Sequence, residues 1–170
     1  MKRSSNWLRL AALASVAFSG SAIAAPDPLT PLDFLIGHWT APPPSDKDAP
    51  NRGGTSEIGR DLGGTVLVRR DRTLLKGGGA IEMLMVIYPD RSGLRADFFD
   101  SEHHVIHYAQ SDLQPGKSVQ FTSESPPEAP AFRLTYESRQ GSGLEVRFEI
   151  APPGPQRNFK TYAEGALDRQ

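Results

Sequence analysis

Three of the chain's four histidines, His103, His104 and His107, fall within five positions of the stretch Asp100-Ser101-Glu102-His103-His104-Val105-Ile106-His107-Tyr108. Imidazoles among carboxylates suit a transition metal, and one imidazole beside one carboxylate suits general acid–base chemistry. The spacing argues against a shared ion. Residues three apart on a strand point to opposite faces, which separates His104 from His107. His103 and His107 share a face but stand about 13 Å apart at ~3.3 Å per residue, whereas zinc needs each nitrogen within about 2.1 Å. The stretch therefore reads as a β-hairpin with Glu102-His103 as its tight turn, His104 opposite Ser101 and His107 opposite Phe98. No metal is assigned. For His107 two readings stay open: an inner-face ionisable group beside Phe98 and Ala96 that orients a ligand, or an ordinary half-exposed strand histidine.

Other stretches hold less chemistry. Lys76-Gly77-Gly78-Gly79 lacks the Gly-Lys-Ser/Thr ending and the following helix of a phosphate loop. Gly141-Ser142-Gly143 lacks the strand-to-helix elbow of a serine hydrolase. No catalytic residue is assigned. Arg69 and Arg70 follow Val66-Leu67-Val68 on a strand, so one of them faces inward and must find an anion. Glu57, Glu82 or a ligand carboxylate would serve. Glu145 and Glu149 fall on the solvated face of their strand.

The elements that would position these groups are strands. Leu144-Glu145-Val146-Arg147-Phe148-Glu149-Ile150 alternates apolar and charged residues, as does Phe132-Arg133-Leu134-Thr135-Tyr136-Glu137, and Gln140-Gly141-Ser142-Gly143 joins the two as a hairpin. Further strands are expected near 34–40, 55–62, 65–73, 80–88, 94–101, 104–112, 117–123 and 158–168. About ten short strands without a long amphipathic helix predict an all-β fold, a single antiparallel up-and-down β-barrel that removes its own edges. Three Pro-rich stretches, 41–54, 125–130 and 151–155, fall between strands and read as loops. Ile81-Glu82-Met83-Leu84-Met85-Val86-Ile87-Tyr88 is apolar on both faces except at Glu82, so its outer face is expected under the N-terminal segment or a second subunit, a possible homodimer. Gly37-His38-Trp39 is expected to plug one barrel end, the glycine letting the backbone turn beneath the indole.

Lys2, Arg3 and Arg9 precede an apolar run from Leu10 to Phe18 and small residues ending Ala22-Ile23-Ala24. That pattern predicts a secretory signal peptide, residues 1–24, too short in its apolar run to span a membrane, and a periplasmic or secreted domain over 25–170. Its removal leaves 16 Lys and Arg against 20 Asp and Glu, a formal charge of −4. A mildly acidic surface gives no electrostatic support for nucleic acid, and no cationic amphipathic helix remains for membrane insertion. With no cysteine in the chain, disulfides, thiolate catalysis and zinc–thiolate sites are excluded, so a packed core must hold the domain.

Leu32-Asp33-Phe34-Leu35-Ile36-Gly37-His38-Trp39, Asp61-Leu62-Gly63-Gly64-Thr65-Val66-Leu67-Val68-Arg69-Arg70, Leu84-Met85-Val86-Ile87-Tyr88 and Phe99 to Tyr108 together resemble bacterial lipocalin-like barrels of the DUF1579 type, a group with no assigned activity, distantly similar to nitrobindins. The resemblance spans nearly all of residues 25–170 and implies a lipocalin-like barrel. Nitrobindins share Gly37-x-Trp39 but continue Gly-x-Gly where this chain has Thr40-Ala41-Pro42-Pro43. Their haem-ligating histidine lies on a late strand; this chain has no histidine after His107, so haem is not expected and no cofactor is assigned. The function expected is the binding of a small apolar or amphipathic molecule in the barrel interior, with Arg69, Met85, Phe98, His107, Tyr108, Phe132, Tyr136 and Phe148 as wall candidates. The rival is a small-molecule enzyme using His107 as acid or base.

Overall fold

The computed structural model describes residues 26–140 and 143–170; the expected signal segment, residues 1–24, and residues 25 and 141–142 lie outside the described residues. Ten strands follow a short 3-10 helix, Thr30–Leu35: β1 Gly37–Ala41, β2 Asn51–Asp61, β3 Val66–Leu75, β4 Ala80–Asp90, β5 Gly93–Asp100, β6 Val105–Gln114, β7 Ser118–Ser123, β8 Ala131–Arg139, β9 Gly143–Ala151 and β10 Lys160–Arg169. Each pairs antiparallel with its neighbours in sequence, and β10 returns to β1 through Trp39 opposite Arg169 and Thr40 opposite Asp168. The fold is thus all-β, a single closed up-and-down barrel of ten strands.

Strand alternation sorts side chains between interior and surface, and cross-strand partners share a face. One inner row runs Ile58, Arg69, Met85, Phe98, Ile106; another runs Leu67, Ile87, Ala96, Tyr108. On the far wall Val119, Tyr136 and Val146 form one row, Phe121, Leu134 and Phe148 the next. Glu57, Arg70, Leu84 and Phe99 make the matching outer row.

Leu32 to Ile36 departs from the expected strand 34–40. Pro31 opens the 3-10 turn, and Leu29, Leu32 and Leu35 recur every three residues, the period at which 3-10 side chains eclipse. All three are at most 1% exposed, because that stripe faces down into the barrel end. Trp39 completes the plug: its indole N–H donates to the Leu35 carbonyl at 2.9 Å, and the Arg169 guanidinium lies 4.4 Å over its ring. Gly37 takes φ 153°, a backbone conformation that other residues rarely adopt. A Cβ at that position would stand 2.7 Å from an Arg169 guanidinium nitrogen.

The other departure from expectation is the β5–β6 turn, where Glu102-His103 was expected as a tight two-residue turn with His104 opposite Ser101. Phe99 pairs with Val105, so the turn holds five residues from Asp100 to His104, and His107 stands opposite Asp97, where Phe98 was expected. Asp100 sets that length: its Oδ1 accepts the amides of Glu102 and His104, while His103 takes the left-handed conformation at φ 71°. A one-residue shift turns every side chain of a strand to the other face.

Candidate functional site

The barrel is plugged at one end and less tightly filled toward the other. Around the plug lie Trp39, Leu67, Ile87, Leu94, Val119, Tyr136 and Leu144, all at most 4% exposed. Toward the opposite rim the inward residues Phe98, Ile106, Phe132, Val146 and Phe148 are only partly buried. Two observations show that solvent reaches into this half. Arg69 points inward near mid-barrel yet its side chain keeps 14% exposure. Gly165, inward opposite Val146, is exposed, and a Cβ added to it would meet nothing within 4 Å.

The wall of the open half is aromatic. Phe132 stacks on Phe148 with centroids 5.9 Å apart and planes 11° from parallel, and Tyr162 meets Phe148 edge-on at 6.1 Å. Such faces receive flat or apolar ligands. Tyr162 sits at a register shift in β10, the irregularity that turns it toward Phe148.

A polar cluster forms the floor. Arg69 Nε and Nη2 donate to the two Asp71 oxygens at 2.8 and 2.5 Å, and Nη1 donates to the Tyr136 hydroxyl. Tyr136, fully buried, in turn donates to the Met85 sulfur at 3.3 Å. Burial works against the Arg69 charge, but Asp71 and Tyr136 outweigh it and hold the guanidinium protonated. Burial also pushes the Tyr136 and Tyr108 hydroxyls up, with Arg69 pulling both the other way. The Tyr108 hydroxyl makes no hydrogen bond among the described residues, although the residue is 2% exposed. Ser56, paired across from Asp71 on the inner face, has a hydroxyl sealed from solvent with no hydrogen-bond partner among the described residues.

The structure corrects two sequence assignments here. The anion for the inward arginine is Asp71, two residues along the same strand, whereas Glu57 and Glu82 lie on the outer face. His107 lies outside the barrel, its side chain 65% exposed, because the longer turn shifts its register. There its Nδ1 contacts Asp97 Oδ1 at 2.7 Å and Tyr88 donates to the other Asp97 oxygen at 3.2 Å. This is a histidine with an orienting carboxylate, facing away from the cavity. Arg69, Met85, Phe98, Tyr108, Phe132, Tyr136 and Phe148 all point inward, and Gly37 and Trp39 lie in the plug. Asp71 was the inner-face residue that sequence reasoning missed; the Arg-x-Asp spacing on one strand face was its signal.

Three ligating side chains do converge at the β5–β6 turn. Asp100, Glu102 and His104 place one ligand atom each within 4.8 Å of one another. Asp100 already spends its second oxygen on His104 Nδ1 at 2.9 Å. Burial alone would raise its pKa, but the His104 amide and ring and the Glu102 amide hold it below the ordinary carboxylate value. Glu149, expected on a solvated face, is instead 7% exposed: Arg133 grips both its oxygens at 2.7 Å and the Phe159 ring lies 4.3 Å from the Arg133 guanidinium carbon.

Outside the barrel, a groove of about 790 Å³ crosses β1 to β5 and is lined by His38, Glu57, Arg70, Glu82, Leu84 and Phe99. No family model matches the chain, and no curated protein matches it either.

Proposed function

We propose that the protein is an exported barrel that takes up a small apolar or amphipathic molecule through its open end. The observation that carries this reading is the contrast between a plug with residues at most 1% exposed and an aromatic half in which an inward arginine still reaches solvent at 14%. Ten strands enclose more room than the roughly eight that side chains can just fill. The likeness of the Gly37-His38-Trp39 and Asp61 to Arg70 segments to DUF1579-type lipocalin-like barrels, a group with no assigned activity, supports the barrel architecture alone, and the basic, apolar, small-residue order of residues 1–24 supports periplasmic or secreted placement.

Native mass spectrometry of the full chain exported to a bacterial periplasm and purified without denaturant tests it. A reproducible added mass that is lost on denaturation supports the carrier. A bare protein that also fails to bind the apolar dye N-phenyl-1-naphthylamine overturns it.

A second reading rests on the outer face. Leu84, Phe99 and Val105 are neighbours in register and are 36%, 40% and 54% exposed, beside Glu57 and Arg70. A two-fold axis at Leu84 would set this exposed apolar row against its own copy, the self-complementarity a dimer needs. A dimeric mass that Leu84→Lys converts to monomer supports it; a monomer at all concentrations overturns it.

A further inference from the structure

The polar floor of the cavity has a definite charge state, and that state selects among ligands. Resting on the carrier reading above, we infer that the cavity is built for a ligand whose polar group is neutral, a carbonyl, amide or hydroxyl, and that it discriminates against carboxylates.

The argument starts from the guanidinium. Of its five N–H groups, Nε–H and one on Nη2 go to Asp71, and one on Nη1 goes to the Tyr136 hydroxyl. The fork that would grip a carboxylate side-on is therefore already filled by Asp71, which is itself buried at 8% exposure. What remains is one N–H on each terminal nitrogen, together with the Tyr108 hydroxyl, which has no partner among the described residues and belongs to the inner row adjoining that of Arg69. Two donors and one donor-acceptor suit an oxygen that accepts, or a hydroxyl that does both.

Charge points the same way. The positive arginine and the negative aspartate cancel, so an incoming carboxylate would meet no net attraction and would sit within a few ångströms of the Asp71 oxygens. It would still lose its hydration on entering a half lined by Phe98, Phe132 and Phe148. A neutral group loses much less and gains the same hydrogen bonds. Asp71 is thus the residue that sets specificity, by occupying the arginine.

The test is direct binding of matched pairs to the full-length exported protein by isothermal calorimetry at pH 7: naphthalene-2-carboxamide against naphthalene-2-carboxylate, and decanamide against decanoate. Each pair differs chiefly in charge. The amides are expected to bind at least tenfold more tightly. Asp71→Asn, checked by circular dichroism for a retained barrel, is expected to narrow or reverse that ratio by tenfold or more, since the guanidinium then carries an uncancelled charge. Tyr108→Phe is expected to weaken the amides about fivefold, and by more than it weakens N-phenyl-1-naphthylamine, which offers no carbonyl to bond; equal losses for both probes would mean that Tyr108 acts through packing alone. Equal or tighter binding of the carboxylates by the unaltered protein overturns this inference and leaves the carrier standing. Failure of every probe, the dye included, overturns the carrier reading and this inference with it.

Discussion

The two ends of the barrel solve the same packing problem in opposite ways. At the plugged end Leu29, Leu32, Leu35 and Trp39 fill the interior, so the strands are held from within. At the open end the interior is only partly filled, and the wall is held from outside. Arg133 clamps Glu149 across β8 and β9 beneath Phe159, and Arg157 donates to the carbonyls of Ser125, Pro126 and Ala129, tying the 124–130 loop to the 152–159 loop. A barrel that keeps space inside needs its cross-links on the surface. The Arg69–Asp71 pair marks the boundary between the two regimes.

That contrast breaks most readily at the plug. Trp39→Ala removes a side chain 1% exposed together with the indole hydrogen bond to Leu35, and should cost about 4 kcal/mol of unfolding free energy, read from the urea midpoint. A loss under about 1 kcal/mol would mean that the plug does not hold the barrel. Next in size is the boundary pair. Asp71→Asn strands the Arg69 charge and should cost about 3 kcal/mol, whereas the double change Arg69→Met with Asp71→Leu should cost much less, because no lone charge is left behind. Equal losses for the single and double variants would show that the pair acts through packing alone.

Phe148→Ala sharpens the comparison from the other side. Phe148 is only partly buried and its stacking partner Phe132 is too, so the stability lost should be about 1–2 kcal/mol, well short of the Trp39 effect. Binding of N-phenyl-1-naphthylamine should nevertheless fall severalfold. A stability loss as large as that of Trp39→Ala would mean that the open half is a packed core after all.

The fold was the legible part of the sequence, since alternation in segments such as Leu144 to Ile150 reports directly which side chains share a face. Placement failed wherever a turn or a side chain chose between two faces. The two readings of His107 are decided for the exposed one because Asp100 caps a longer turn than the residue types around His103 suggest, and one residue of register moves His107 from opposite Phe98 to opposite Asp97. The anion for Arg69 was sought across the sheet, where Glu57 and Glu82 are, although a side chain can also lean along its own strand to the residue two positions on. The leucine plug was hidden by its length, as a stripe with period three over six residues looks equally like the start of a strand. Glu149 reads as solvated from its own strand alone; its cover, Phe159, comes from a loop whose path alternation does not encode.

The smallest effect tests the outside clamp itself. Arg133 hydrogen bonds, opposed by burial, hold the Glu149 carboxyl below its ordinary value of 4.5. The native state therefore takes up a proton here less readily than the unfolded chain. By linkage, the stability from the pair is complete above the unfolded value and disappears as pH falls through the lower native one. Glu149→Gln should cost about 1 kcal/mol at pH 7 and little at pH 3, so that the variant's acid limb is flatter than that of the unaltered protein. Urea unfolding at the two pH values reads this difference. The same change should leave the plug's contribution untouched, so Trp39→Ala and Glu149→Gln should add, as residues at opposite ends without shared partners do. Non-additivity would join the two ends into one cooperative structure and remove the distinction between an end held from within and an end held from outside.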